Sequence, residues 1–168
     1  MDSSAQLVHD SMRRGFTLVE LLIVMGVMGI IMQLGSVSLL RFQQFASIQA
    51  ATGSMLSDIK QQQLKAMVGD TGNIGIRGPF GVHFLPDRYV LFSGPAYDPG
   101  DSTNFVITTE QNIRIDSTTL TGNSLVFSAG SGEVVTTDQV ETITLRNTAN
   151  GESRTITINR LGVITDID

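Results

Sequence analysis

"RRGFTLVELLIVMGVMGIIM", Arg13 to Met32, decides how the rest of the chain is read. An arginine pair and a glycine give way abruptly at Phe16 to an apolar run that carries a single carboxylate, Glu20. From Phe16 to Leu40 there are 25 residues with that one charge, whereas Phe42 to Asp168 is polar and rich in Ser, Thr, Gly and Asn. A bilayer core of about 30 Å takes about 20 apolar helical residues. Leu21 to Leu40 supplies them, interrupted only by Gln33, Ser36 and Ser38. A secretory signal would have a shorter apolar stretch of about 7–15 residues and a small-residue cleavage site after it, and neither is found here. Arg13 and Arg14 place the preceding segment in the cytoplasm and the remainder outside it. A plain anchor accounts for the length but not for the Gly15-Phe16 junction or for Glu20. An ionisable group in a membrane segment costs several kcal/mol and normally has a partner.

Gly15 to Ile31, "GFTLVELLIVMGVMGII", resembles the N-terminus of type IV pilins and type II secretion pseudopilins, the class III signal peptides. The resemblance implies that a prepilin peptidase cuts between Gly15 and Phe16 on the cytoplasmic face and methylates the new Phe16 amine. Glycine before the cut lets the backbone enter a tight protease site without a side chain. Cleavage creates a cation in an apolar setting, and the resemblance pairs it with Glu20 of a neighbouring subunit. Desolvated charges are tolerated when paired, and one left alone costs several kcal/mol. Glu20 would then set the assembly register; the local alternative is a carboxylate reaching the headgroup layer. Met12 offers a second start with the short leader "MRRG", as an alternative to Met1.

The first proline is Pro79, so one helix can run from about Phe16 to Val68, roughly 80 Å at 1.5 Å per residue. Phe45, Ile48, Thr52, Met55, Ile59, Gln62 and Ala66 recur at spacings of three and four and trace one stripe, flanked by Leu56 and Gln63. That stripe is expected to pack on a sheet. Gly53 weakens the helix by about 1 kcal/mol relative to alanine and allows a bend, and Gly69-Asp70-Thr71-Gly72 is a stop signal. Beyond it, short β-prone runs predict strands over 73–77, 81–84, 88–93, 105–109, 112–116, 124–128, 141–147, 154–159 and 162–166. Alternation turns Ile143, Leu145, Ile156 and Ile158 inward. The Asn150-Gly151 pair marks a hairpin between their strands. The expected fold is α+β: a long N-terminal helix, membrane-spanning in its first half, packed on an antiparallel β-sheet or β-sandwich head. The segments are a leader (1–15), a transmembrane and assembly half (16–40), an amphipathic half (41–70) and a β-rich head (71–168). "SLVFSAGSGEVV…ETITLRN…GESRTITINRLGVI" is similar to the GspH/FimT-type minor pseudopilins and minor pilins.

The head holds little that could do chemistry. Cysteine is absent, which removes disulfides and thiolate metal sites, so a core of about 100 head residues has to suffice. Of the two histidines, His9 lies in the leader and His83 reads as a strand residue. No nucleophile elbow, phosphate loop or zinc pattern occurs, and nothing implies a cofactor. Asp98 and Asp101 in "YDPGDSTN" are the candidates for a calcium site, but the spacing matches no EF-hand and is ordinary turn chemistry. From Phe42 onward 13 acidic and 8 basic residues give −5, with the bases scattered singly. That balance argues against nucleic acid, where phosphate contacts dominate affinity. FimT-like DNA uptake would want arginines where the chain ends "LGVITDID". The sequence therefore points to a non-catalytic minor pilin or pseudopilin in the bacterial inner membrane, its head in the periplasm or at the cell surface. Its expected partners are prepilin peptidase, other pilin subunits and the inner-membrane assembly platform of a type II secretion pseudopilus or type IV pilus. The rival readings are a DNA-binding minor pilin and an uncleaved, anchored envelope protein.

Overall fold

The computed structural model describes residues 16–71, 75, 77–136 and 140–168, with the side chains of all of these except 33–46. The chain divides into two compact units, Met1–Leu40 and Arg41–Asp168. Helix α1 (Leu18–Val68) contributes to both.

α1 begins at an N-cap that the apolar run conceals. Thr17, just ahead of the helix, accepts the backbone N–H of Glu20 on its Oγ1 at 3.2 Å. A threonine hydroxyl at this position satisfies one of the open N–H groups of a first turn. At the other end Gly69 has φ +70°, and the Asp70 N–H reaches back to the Lys65 carbonyl at 3.0 Å. That is the Schellman closure, which favours a glycine at the left-handed position. The predicted stop therefore falls where expected.

In the second unit the helical stripe is buried as its spacing requires. Ile48, Met55, Ile59 and Ala66 are at most 1% exposed, Thr52 5% and Gln62 2%. Leu56 and Gln63 are half-buried flanks. The Phe45 side chain lies outside the described residues. Thr52 satisfies its hydroxyl by donating to the Ile48 carbonyl at 2.7 Å. α1 continues through Gly53, which is exposed and whose missing Cβ would meet no atom within 4 Å.

Eight strands follow: β1 (Phe80–Leu85), β2 (Arg88–Ser93), β3 (Phe105–Thr108), β4 (Ile113–Thr118), β5 (Ser124–Phe127), β6 (Val140–Asn147), β7 (Ser153–Asn159) and β8 (Ile164–Ile167). They match eight of the nine predicted runs. The ninth, 73–77, falls largely outside the described residues. The strands form two antiparallel four-stranded sheets, ordered β3-β2-β1-β5 and β4-β6-β7-β8. One core joins the α1 stripe to both: Val82, Phe84, Leu125 and Phe127 from the first sheet, Ile143, Leu145, Ile156 and Ile158 from the second. The last four are fully buried, as their alternation predicts. The turn after β6 contains Gly151 at φ +77° and closes through the Gly151 N–H on the Asn147 carbonyl at 2.8 Å.

Two tertiary devices complete the head. Gln63 donates from Nε2 to the carbonyls of Gly132 (3.0 Å) and Leu161 (3.1 Å), clipping the end of α1 to two distant loops. On the far face of the first sheet the His83 ring stacks on Tyr97 with centroids 4.0 Å apart, and Phe92 meets Tyr97 edge-on at 5.8 Å. His83 Nδ1 is hydrogen-bonded to Ser124 Oγ at 2.8 Å. Phe92 lies over Gly81, where an added Cβ would come within 2.4 Å of its ring.

Three outcomes follow for the unfolding of the full chain in detergent. Gly53→Ala adds a good helix former at an open site and raises stability by about 0.5–1 kcal/mol. Gly81→Ala forces Phe92 off the sheet and lowers stability by about 1–3 kcal/mol, the range for overpacking. Burial holds the His83 imidazole below its ordinary value of 6.5. The unfolded chain therefore takes up this proton first, and the His83 contribution is lost as pH falls from 6.5 through the lowered folded value. Denaturant titrations at several pH values between 7 and 5 should show a shallower loss in His83→Gln than in the parent.

Candidate processing and assembly site

Phe16 and Thr17 lie just outside α1, and Leu18, Val19 and Glu20 form its first turn. Gly15, the residue on the other side of the expected cut, lies outside the described residues, as do Arg13, Arg14 and His9. Phe16 is 82% exposed, so the bond ahead of it adjoins an open, uncapped side chain.

From Leu21 to Met32 the helix is apolar on every side. Thirteen large apolar residues between Phe16 and Met32 are 47–82% exposed, with Val24 the least and Phe16 the most. A helix with a single buried face would alternate between covered and open positions, but one that is apolar all round calls for an apolar environment all round. Glu20 is exposed among them, and no described residue offers its carboxylate a cation within 4.0 Å. Its place in the first turn complements the positive end of the helix macrodipole. Among the described residues no helix is long and apolar enough to cross a membrane; the described side chains of this apolar part end at Met32.

The head residues singled out from sequence are occupied locally. Asp98 Oδ1 accepts the Gly100 N–H at 2.9 Å, and Asp101 Oδ1 accepts both the N–H and the hydroxyl of Thr103 at 2.8 Å. The Thr103 bonds hold the Asp101 carboxyl below its ordinary range. Asn104 Nδ2 donates to the Asp98 carbonyl at 2.7 Å and closes the loop. These are side-chain-to-backbone turns of the kind Asp and Asn favour. No group of three or more His, Cys, Asp or Glu suited to a metal ion occurs among the described residues. His83 is half-buried and hydrogen-bonded to Ser124, but no described carboxylate orients its ring. Three of the scattered bases are drawn to acids: Arg88 to Asp87 (3.5 Å), Arg154 to Glu152 (3.9 Å) and Arg146 to Asp116 (4.0 Å). The exposed pairs, Arg88–Asp87 and Arg146–Asp116, contribute little to stability, but all three leave less free positive charge for a phosphate backbone.

Sequence reading missed the N-cap at Thr17, whose hydroxyl takes the Glu20 N–H. Also missed was Glu141, expected only as a strand residue. It is 2% exposed, and its carboxylate takes the hydroxyls of Thr119 (2.9 Å) and Thr136.

No curated protein and no solved structure matches the chain. Residues 10–32 match the family pattern described as the prokaryotic N-terminal methylation motif. The chain thus carries a class III signal peptide at the start of α1, consistent with the type IV pilin and pseudopilin superfamily.

Proposed function

We propose that this chain is a non-catalytic minor pilin or pseudopilin of the GspH/FimT type. Prepilin peptidase cuts between Gly15 and Phe16 and methylates the Phe16 amine. The apolar half of α1 then sits in the bacterial inner membrane until the assembly platform draws the subunit into a filament. That filament is a type II secretion pseudopilus or a type IV pilus, with the head outside the cytoplasm. One observation carries the reading: a helix apolar on all sides, with one carboxylate in its first turn, coincides with the methylation motif. Lipid meets the apolar requirement before assembly, and the same segment of neighbouring subunits meets it afterwards. In the second setting the carboxylate requires a cation, and the amine freed at Phe16 is the cation that processing creates. The acidic head and its paired arginines favour this role over contact with DNA.

Co-expression with a prepilin peptidase should yield an intact mass lacking residues 1–15 and carrying one added methyl group. An unprocessed chain would overturn the reading.

The role of Glu20 separates by substitution, since glutamine at this position keeps the size and polarity of the side chain and loses the charge. With the Phe16 amine left unpaired in an apolar bundle, about 3–5 kcal/mol of pairing is lost. Glu20→Gln and Glu20→Ala should therefore be processed normally and both fail to enter filaments, as read from sheared or crosslinked fractions. Normal assembly by the glutamine variant would defeat the pairing argument.

A further inference from the structure

Antiparallel sheets expose their edges, and folded chains usually protect them with charge, proline, bulges or a covering segment. Three of the four edges in this head follow that rule. β5 is covered by residues 133–135, through the Phe127–Val134 bridge and the Val135 N–H on the Val126 carbonyl at 2.8 Å. β4 carries exposed Arg114 and Asp116 and a register shift between Ile115 and Ser117. β8 carries Asp166 and a register shift opposite, between Thr157 and Ile158. Among the described residues β3 has none of these. Its sequence is Phe-Val-Ile-Thr, it lies at the end of its sheet, and Phe105 (64%) and Val106 (53%) are exposed on opposite faces.

The hydrogen-bonding phase of β3 fixes which groups are open. The Thr109 N–H donates to the Asp87 carbonyl at 3.0 Å, and the register continues from that pair through Ile107–Tyr89 and Phe105–Leu91. In an antiparallel ladder such pairs alternate with ones whose N–H and C=O point away. Val106 and Thr108 therefore turn their backbone groups outward, where no described strand lies.

Beside this edge, α1 and the β2–β3 pair enclose a cleft of about 420 Å³ lined by Asp58, Gln62, Lys65, Leu91, Phe105 and Ile107. Gln62 is 2% exposed, and its Oε1 is buried without a hydrogen-bond partner. A buried acceptor left open is unfavourable. The charge around the edge is mostly negative. Asp98 and Asp101 precede β3, Glu110 follows it, and Asp58 lines the cleft, holding the Tyr89 hydroxyl at 2.6 Å. Against these stand Lys65, whose ammonium lies 5.9 Å over the Phe80 ring, and Arg88, drawn to Asp87.

We propose that the β3 edge and its adjoining cleft form a docking site for one extended polypeptide segment of a partner protein, apolar at alternate positions and basic at its ends, added as a fifth strand. Val106 and Thr108 supply the main-chain pairing, Phe105 and Ile107 receive the alternate apolar side chains, and the flanking carboxylates select the basic ends. Strand addition gives affinity through the backbone and specificity through alternate side chains. The site uses residues of Arg41–Asp168 alone and is independent of processing at Phe16.

The probe is a labelled peptide of alternating valine and threonine with two lysines at each end, titrated by anisotropy into the full chain in detergent. Binding is expected, with slowed amide exchange at Val106 and Thr108. An analogue N-methylated at alternate amides and one with glutamates at its ends should each bind at least tenfold more weakly. Val106→Pro removes an outward N–H, and Val106→Lys adds a charge at an already exposed position. Each should weaken binding at least tenfold, and the lysine variant, with an unchanged melting temperature, decides the matter if the proline variant does not fold. Equal binding of the N-methylated peptide, absence of protection at Val106 and Thr108, or full binding by Val106→Lys would overturn the proposal. So would self-association of the chain through β3 that excludes the peptide, since the occupant would then be a second copy.

Discussion

The burial of one helical stripe is the constraint on which the folded head depends. Ile48, Met55, Ile59 and Ala66 present a narrow apolar face to which both sheets bring theirs, so one cluster of side chains holds three layers of backbone together. Neither sheet reaches four strands from a single hairpin: β5 returns to β1 across residues 86–123, and β4 joins β6 across residues 119–139. Local propensity does not hold such an arrangement. A common apolar surface does, because each element buries its face only when the others are present. The polar members of the stripe fit this in different ways. Thr52 turns its hydroxyl back on its own helix, whereas Gln62 leaves an acceptor open beside the cleft.

The parts of this fold legible in the sequence are those with a local period. The α1 stripe, the stop at Gly69 and the alternation of Ile143, Leu145, Ile156 and Ile158 all follow from spacing, because a helix and a strand repeat at fixed intervals. What spacing cannot encode is which strands become neighbours. Gln63 reads as a flanking residue, yet its amide bridges to carbonyls 69 and 98 positions away. His83 reads as an ordinary strand position, yet its ring is covered by Tyr97 from an irregular loop. The unprotected state of β3 is likewise invisible until the sheet order is known, since the same four residues inside a sheet would be unexceptional.

At the N-terminal site the balance is different. The motif that contains Gly15, Phe16 and Glu20 is legible because it is short and dense and does not depend on tertiary structure, and residues 10–32 match the methylation pattern on sequence alone. The structure adds the local geometry that the motif omits. Thr17 ties down the Glu20 backbone, so the carboxylate leaves the helix from a fixed first turn.

That geometry bears on why one acidic residue suffices. A carboxylate on a frayed helix end would spend conformational entropy each time it met a partner amine. A capped first turn has already fixed the backbone, and the axis dipole there is complementary to negative charge. The residue pattern that starts the helix is thus the pattern that would present the charge, and the cut proposed between Gly15 and Phe16 would leave Thr17 in place to maintain it. A shift of the proposed cut by one residue toward the helix would make Thr17 the terminal residue and place the new amine on the N-cap residue itself. The carboxylate would then have a cation in its own chain, and its pull on a neighbouring subunit would weaken. On this argument the position of the cut and the position of the cap are one constraint.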